Sequence, residues 1–293
     1  MPLNRDLYKY RVAFSSVKPE RTIELAIQLF LGFAILYLVR NQTPSVLFNF
    51  LCLLAITSQF ILSKKIKQSI LFWFCMCLFF AFKLLTTYFQ AANHLFIAFY
   101  LSLAFIVFFI TRQNGSILRK NVQLILGLAL LFSGIQKIVS SDYYSGAYFY
   151  YMLQRGDFLW PLKYLSVSFQ EITSYNMKVL ESSRSIYPGG ATFEALKTPF
   201  SGAKTMSYYL SVVSIALELG AGIIILVKPK SFITHLLILA TIWGVFFTRQ
   251  EVGFLTLLTV MGLLLAENKY FIWFYTATGI IFLSLILVRI GFL

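Results

Sequence analysis

Apolar runs close to twenty residues long alternate with short polar stretches along most of this chain. A helix crossing a hydrocarbon layer of ~30 Å takes roughly 20 residues. Nine segments approach that length: 22–39, 44–62, 69–88, 94–111, 121–139, 207–227, 231–248, 252–266 and 270–290, of which 252–266 is short. Inside lipid the backbone must satisfy its own polar groups, so such runs predict helices. The pattern breaks at 140–206, which is rich in Ser, Tyr and charged residues, too polar to span over most of its length and too long for a simple turn. This stretch predicts a cap outside the membrane. Its segment GAYFYYMLQRGDFLWPLKYL is aromatic and amphipathic, which suits a helix lying in the interface plane or partly buried against the bundle. The expected fold is therefore all-α: a polytopic helical bundle of about nine transmembrane helices, with an arm at 1–21, one membrane domain over 22–293 and the cap between the fifth and sixth spans. No internal repeat is apparent.

Composition points the same way. The chain is 59% hydrophobic and 12% charged, with a mean hydropathy of +0.77, which would leave a soluble domain with more apolar surface than its core could hide. Membrane lipid is the expected solvent and partner. The net charge of +14 sits in short clusters between apolar runs instead of one continuous basic face, which argues against nucleic acid. Those clusters orient the chain, because cytoplasmic loops carry the Lys and Arg excess. Arg5, Lys9, Arg11, Lys18 and Arg21 in the arm, Lys64, Lys65 and Lys67, then Arg112, Arg119 and Lys120, then Lys228 and Lys230 alternate with loops poor in basic residues. The reading is a multi-pass protein with a cytoplasmic N-terminus, the cap on the opposite side, and a bacterial inner membrane as the expected setting. The N-terminal stretch has no short apolar core or small-residue cleavage site, so the first helix is expected to insert uncleaved. Cys52, Cys75 and Cys77 all lie in apolar runs, where packing is their expected role.

A charged side chain in a span costs roughly 2.5–3.5 kcal/mol on insertion scales, so each one calls for a partner, a route to the headgroups or a function. Lys137, near the outer end of the fifth span in LLFSGIQKIVSSDYYSG, could snorkel or serve a site. Glu218, near the centre of the sixth in SIALELGAGIIIL, has no snorkelling route and needs a structural ion pair, a protonated hydrogen-bonded form or a function. Lys83 could snorkel or pair with a carboxylate, and His94, following Asn93, could be an interfacial imidazole at a helix start. The topology puts Lys137 and His94 on one side with Glu218 at mid-depth. A desolvated lysine is a candidate base, and a nearby carboxylate opposes that role.

The segments NHLFIAFYLSLAF, SGIQKIVSSDYYSG and LELGAGIIIL followed by VKPKS occur in an order and spacing that resemble the horizontally transferred transmembrane domain family, over about 90–265. That family includes the vitamin K-dependent γ-carboxylase and the bacterial sporulation-delaying-protein B. The resemblance implies that His94 and Lys137 are catalytic, Lys137 as base and His94 positioning or stabilising a developing oxyanion, with Asn93, Glu218 and Trp243 toward a cofactor. It also implies a quinol such as vitamin K hydroquinone, and a secreted peptide or protein as substrate. One departure is plain: where the carboxylase carries a further histidine, this chain places Trp243 or a neighbour, and the other histidine, His235, lies eight positions earlier and is read as a packing or interfacial residue. The large lumenal part that helps the carboxylase grip its substrate is not expected here, so true γ-glutamyl carboxylation is not expected either.

The residues leave three readings open, and with them the question of whether the chain is an enzyme. One is a carboxylase-related enzyme or a peptide or toxin maturation factor. The second is a quinone- or redox-associated subunit of the DoxX type, which the Glu-Leu-Gly segment and Gly-x-x-Lys also resemble. The third is a transporter or immunity-like binding protein in which Lys137, His94 and Glu218 form a polar cavity without chemistry. No zinc-ligand spacing can be built from two distant histidines and three membrane cysteines.

Overall fold

The computed structural model describes residues 19–40, 69–86, 93–185, 196–249 and 251–290, and among them every regular element is a helix. In chain order these are α1 (Pro19–Arg40), α2 (Ile70–Thr86), α3 (Asn93–Ile110), α4 (Gly115–Val139), α5 (Ser141–Tyr144), α6 (Ala147–Gln154), α7 (Leu162–Leu165), α8 (Val167–Ser185), α9 (Ala203–Val227), α10 (Phe232–Arg249), α11 (Val252–Leu265) and α12 (Lys269–Ile290). Eight of the predicted apolar segments coincide with helices, and 44–62 lies outside the described residues. Four helices are long and apolar enough to cross a membrane: α4, α9, α10 and α12 over Lys269–Val288. Apolar but shorter are Ile70–Thr86, His94–Ile110 and Val252–Leu265.

The boundaries show what the apolar count misses. The fifth segment was expected to begin at 121, yet α4 starts six residues earlier because Asn114 caps it. Its Oδ1 accepts hydrogen bonds from the backbone N–H of Ser116 at 3.1 Å and from the Ser116 hydroxyl at 2.8 Å, satisfying donors that the first turn leaves unpaired. Arg119 and Lys120 are thus helical although polar. In the same way α9 begins at Ala203, directly after Gly202 in the left-handed region at φ 81°.

The chain forms two compact units. The first holds α1, α2, α3, the start of α4 up to Ile125, residues 229–231, α11 and α12. At its middle lies α11, buried without interruption from Leu255 to Ala266 and packed against α1, α3 and α12. A helix apolar all round belongs inside protein, and at 14 residues it is only about 21 Å long. Its polar side chains are settled within the helix: the Thr256 and Thr259 hydroxyls donate to the carbonyls of Val252 and Leu255, each at 2.8 Å. Beside it Phe30, Trp73, Phe80 and Phe105 interlock, with the Trp73 and Phe105 rings 4.4 Å apart. Glu267, after α11, accepts from Arg119 at 2.8 Å and Lys230 at 2.7 Å, tying three turns of this unit together.

The second unit holds the rest of α4, then α5 to α10. In it α4 and α9 run antiparallel at very short range, and small residues permit the approach. A Cβ placed on Gly222 would lie 2.8 Å from the backbone nitrogen of Leu131 and 3.0 Å from the Gly127 carbonyl oxygen; Gly134 faces the Leu219 side chain in the same manner. After α4 the chain turns at Gly146, whose φ of 76° requires glycine and whose backbone rests on Ser207 and Tyr208 of α9. From there α6 lies along the first half of α9, and Phe149, Leu153, Phe158, Phe169 and Ala203 close a small apolar core. The following residues hold to the end of α10: the Leu159 N–H donates to the Thr248 carbonyl at 3.1 Å, and Trp160 Nε1 to the Phe246 carbonyl at 3.0 Å. Buried Asn176 of α8 donates to the carbonyls of Gln154 and Lys197 and accepts the Lys197 N–H. The described residues of the polar stretch therefore form a folded layer on the start of α9 and the end of α10, which share one end of their hairpin.

Candidate functional site

One face of α9 is polar inside an otherwise apolar helix. Ser207, Ser211, Ser214 and Glu218 follow at spacings of four, three and four, which keeps them in one row on a helix. Ser207, Ser211 and Glu218 are buried, and α4 and α5 cover the row.

Lys137 reaches this row from the last turn of α4. Its Nζ donates to Glu218 Oε1 at 2.5 Å and to the Ser214 hydroxyl oxygen at 3.1 Å. The two charged side chains are 13% and 7% exposed, so the pair is withdrawn from solvent. The Tyr143 ring lies 5.8 Å from the ammonium, and the Tyr143 carbonyl accepts a hydrogen bond from Ser211. This geometry settles what the sequence left open about Lys137: it does not run out along a free surface. α9 continues thirteen residues beyond Ser214 toward Val227 and eleven toward Ala203, so the partners of Lys137 sit in mid-helix, and α5 and α6 cover the half toward Ala203. Glu218 has the ion pair as its justification for burial. The two opposite charges lie in direct contact, so each offsets the burial of the other. Glu218 Oε2 is buried and has no hydrogen-bond partner among the described residues.

Tyr143 carries a second layer. Its ring stacks on Tyr148 at 4.3 Å, and the Arg249 guanidinium lies 5.5 Å from the Tyr148 ring while also pairing with Glu251 at 2.6 Å. Burial first, and Tyr148 beside it second, push the Tyr143 phenol up, so it stays a neutral hydroxyl across the physiological range.

The remaining sequence candidates are distributed as follows. Trp243 belongs to α10 in the same unit, its ring 5.5 Å from Phe246 and 5.9 Å from Phe247. Counted from the turn of the α9–α10 hairpin, Glu218 is nine residues before the end of α9 and Trp243 eleven after the start of α10, a difference in height of about 3 Å. Asn93 opens α3, and His94 stands half-buried in its first turn, edge-on to Tyr37 at 5.6 Å and to Phe33 at 6.3 Å. Both belong to the first unit, as does Lys83, which is 1% exposed with its Nζ 5.9 Å from the Phe79 ring. The structure thus joins Lys137 to Glu218 and sets His94 in an aromatic surround of its own. His235 is buried in α10. Sequence reading missed the three serines. Their helical spacing with Glu218 was the available signal, and averaging hydropathy over the span conceals it. Among the described residues no cluster of His, Cys, Asp and Glu could hold a metal ion.

Comparison with family models, with curated proteins and with solved structures returns no match to this chain.

Proposed function

We propose that this chain is a nine-span membrane protein of the horizontally transferred transmembrane domain class, with the N-terminus cytoplasmic and 140–206 on the other side, and that the Lys137–Glu218 pair is its working centre. The carrying observation is a lysine and a glutamate, both withdrawn from solvent, meeting at 2.5 Å on helices of membrane-spanning length. Ionisable groups at such depth mark functional sites more often than structural ones. In this reading Lys137 gives its proton to Glu218, becomes a neutral amine and takes a proton from an acidic hydroxyl of a bound quinol. Glu218 is its counter-charge, and Trp243 on the neighbouring α10 of the same unit lines the cofactor. The orientation is supported by Glu267, which gathers Arg119 and Lys230 from turns that the basic-loop alternation assigns to one side.

The test is anaerobic absorbance of a short-chain naphthohydroquinone bound to purified protein. The parent chain is expected to show the red-shifted spectrum of the quinolate. Lys137→Arg is expected to bind without that shift, because a guanidinium does not give up its proton in this range. Saturable binding with an unshifted spectrum in the parent would remove the base role. Full carboxylation is a separate matter: an indole N–H donates a hydrogen bond but does not exchange protons near neutral pH, so Trp243 cannot replace an imidazole. With vitamin K hydroquinone, carbon dioxide and oxygen, the protein is expected to fix no more carbon dioxide into glutamyl peptides than a Lys137→Met control does.

A further inference from the structure

The serine row does more than flank the ion pair. Ser207 and Ser211 are each 0% exposed. The Ser211 hydroxyl donates to the Tyr143 carbonyl, and the Ser214 oxygen accepts from Lys137. At the two ends of the row stand two buried atoms with no hydrogen-bond partner among the described residues: Ser207 Oγ and Glu218 Oε2. Native proteins rarely leave buried polar atoms unpaired, and the usual remedy is ordered water. Successive groups on a helix row are about 5–6 Å apart, too far for a direct hydrogen bond and suited to one bridging water. A row of hydroxyls also has no packing purpose inside lipid, where Ala would fill the same space without a polar group to satisfy.

We infer that the face Ser207–Ser211–Ser214 is a water-bridged proton path, joining the Lys137–Glu218 pair to the end of the unit covered by α5 and α6. From Ser207 to Glu218 the path covers eleven residue steps of α9, about 16 Å. Each step is a plain transfer: a hydroxyl or water accepts one proton on a lone pair and releases another to its neighbour, so no link is consumed. The proton that the Lys137 amine has taken from the quinol passes on to the Ser214 oxygen, Lys137 returns to the amine, and one proton is delivered to the outer end. Gly146 lies directly over Ser207, so the α5–α6 turn closes the outer end. The purpose of the path rests on the base reading of Lys137, whereas its existence does not.

The experiment uses the full chain in membrane vesicles, with Cys52, Cys75 and Cys77 replaced by Ala. Single substitutions Ser207→Cys, Ser211→Cys and Ser214→Cys are treated with a small cationic methanethiosulfonate, with Tyr209→Cys and Val213→Cys as controls on the exposed, lipid-directed face. Reaction at the three serine positions and at least tenfold slower reaction at the controls supports the path. Unreactive cysteines at 211 and 214 in folded protein, or labelling from the cytoplasmic side alone, would overturn it. Where a variant fails to fold, hydroxyl-radical footprinting of the unaltered chain decides, since it marks buried side chains beside ordered water. Oxidation is expected at Ile215 and Tyr143, and none at Ile225, which is buried on the same face below Glu218. Equal oxidation at all three, or at none, would also overturn the path. Labelled serine positions together with an absent quinolate spectrum would retire the quinol reading and leave the path standing.

Discussion

Lys137 and Glu218 offset one another's burial, and the consequence for mutation is asymmetric. Removing either partner of a buried pair strands a charge at a cost of about 3–5 kcal/mol, whereas replacing both with apolar residues of similar volume is close to neutral. Lys137→Met and Glu218→Leu are each expected to lower Tm in detergent, and the double substitution to recover most of the loss. Single variants as stable as the parent would show that the pair contributes nothing to the fold. The same double variant separates structure from function, because a stable protein that no longer forms the quinolate has lost only chemistry. Both residues were legible in the sequence as charges that the membrane penalises, and Glu218 as one needing a partner. Their meeting was not legible. They are separated by 81 positions, and it is the register of α4 against α9 that brings them together. His94 was legible as a residue at a helix start, and its contacts with Phe33 and Tyr37 depend on α1 folding beside α3.

That register is set by glycines, which identifies a test at the level of the helix pair. A Cβ on Gly222 would meet backbone atoms of α4, which cannot swing aside as a side chain can. Gly222→Ala is therefore expected to cost about 1–3 kcal/mol, the range for overpacking. Gly220 and Gly244 have nothing within 4 Å of such a Cβ, and there the change to Ala should be neutral or gain up to about 1 kcal/mol from helix propensity. Thermal unfolding of the three variants side by side checks this, and an unimpaired Gly222→Ala would mean the helices can separate freely. At this scale the existence and type of most elements could be read from apolar run length. Their starts could not, since Asn114 and Gly202 begin helices several residues before hydropathy rises. The shortness of 252–266 was visible, but only packing shows why: α11 is enclosed by neighbouring helices of its unit.

For the molecule as a whole, the alternation of basic loops makes a claim about sidedness that two exposed positions can test. Ser116, at the start of α4, and Ser174, on α8, are both exposed. In intact cells, with the native cysteines replaced, Ser174→Cys is expected to react with an impermeant maleimide from outside, and Ser116→Cys only after permeabilisation. The reverse pattern would invert the topology, and labelling of both from one side would break the nine-span frame. The division into two units was not visible in the run pattern, because the boundary falls inside the unbroken helix α4.

The burial of α11 has a consequence for how the chain is made. Its neighbours within the unit are α1, α3 and α12, so the first and last of the described helices both shield it. A ribosome releases α11 before α12 exists, and during that interval one flank of a short apolar helix lacks its permanent neighbour. The unit can close only once α12 has been made, so α12 is the step that completes the enclosure of α11. A chain stopped after Glu267 is expected to insert its earlier helices and still be degraded rapidly, a fate that pulse-chase labelling would reveal and that supplying α12 as a separate peptide should reverse.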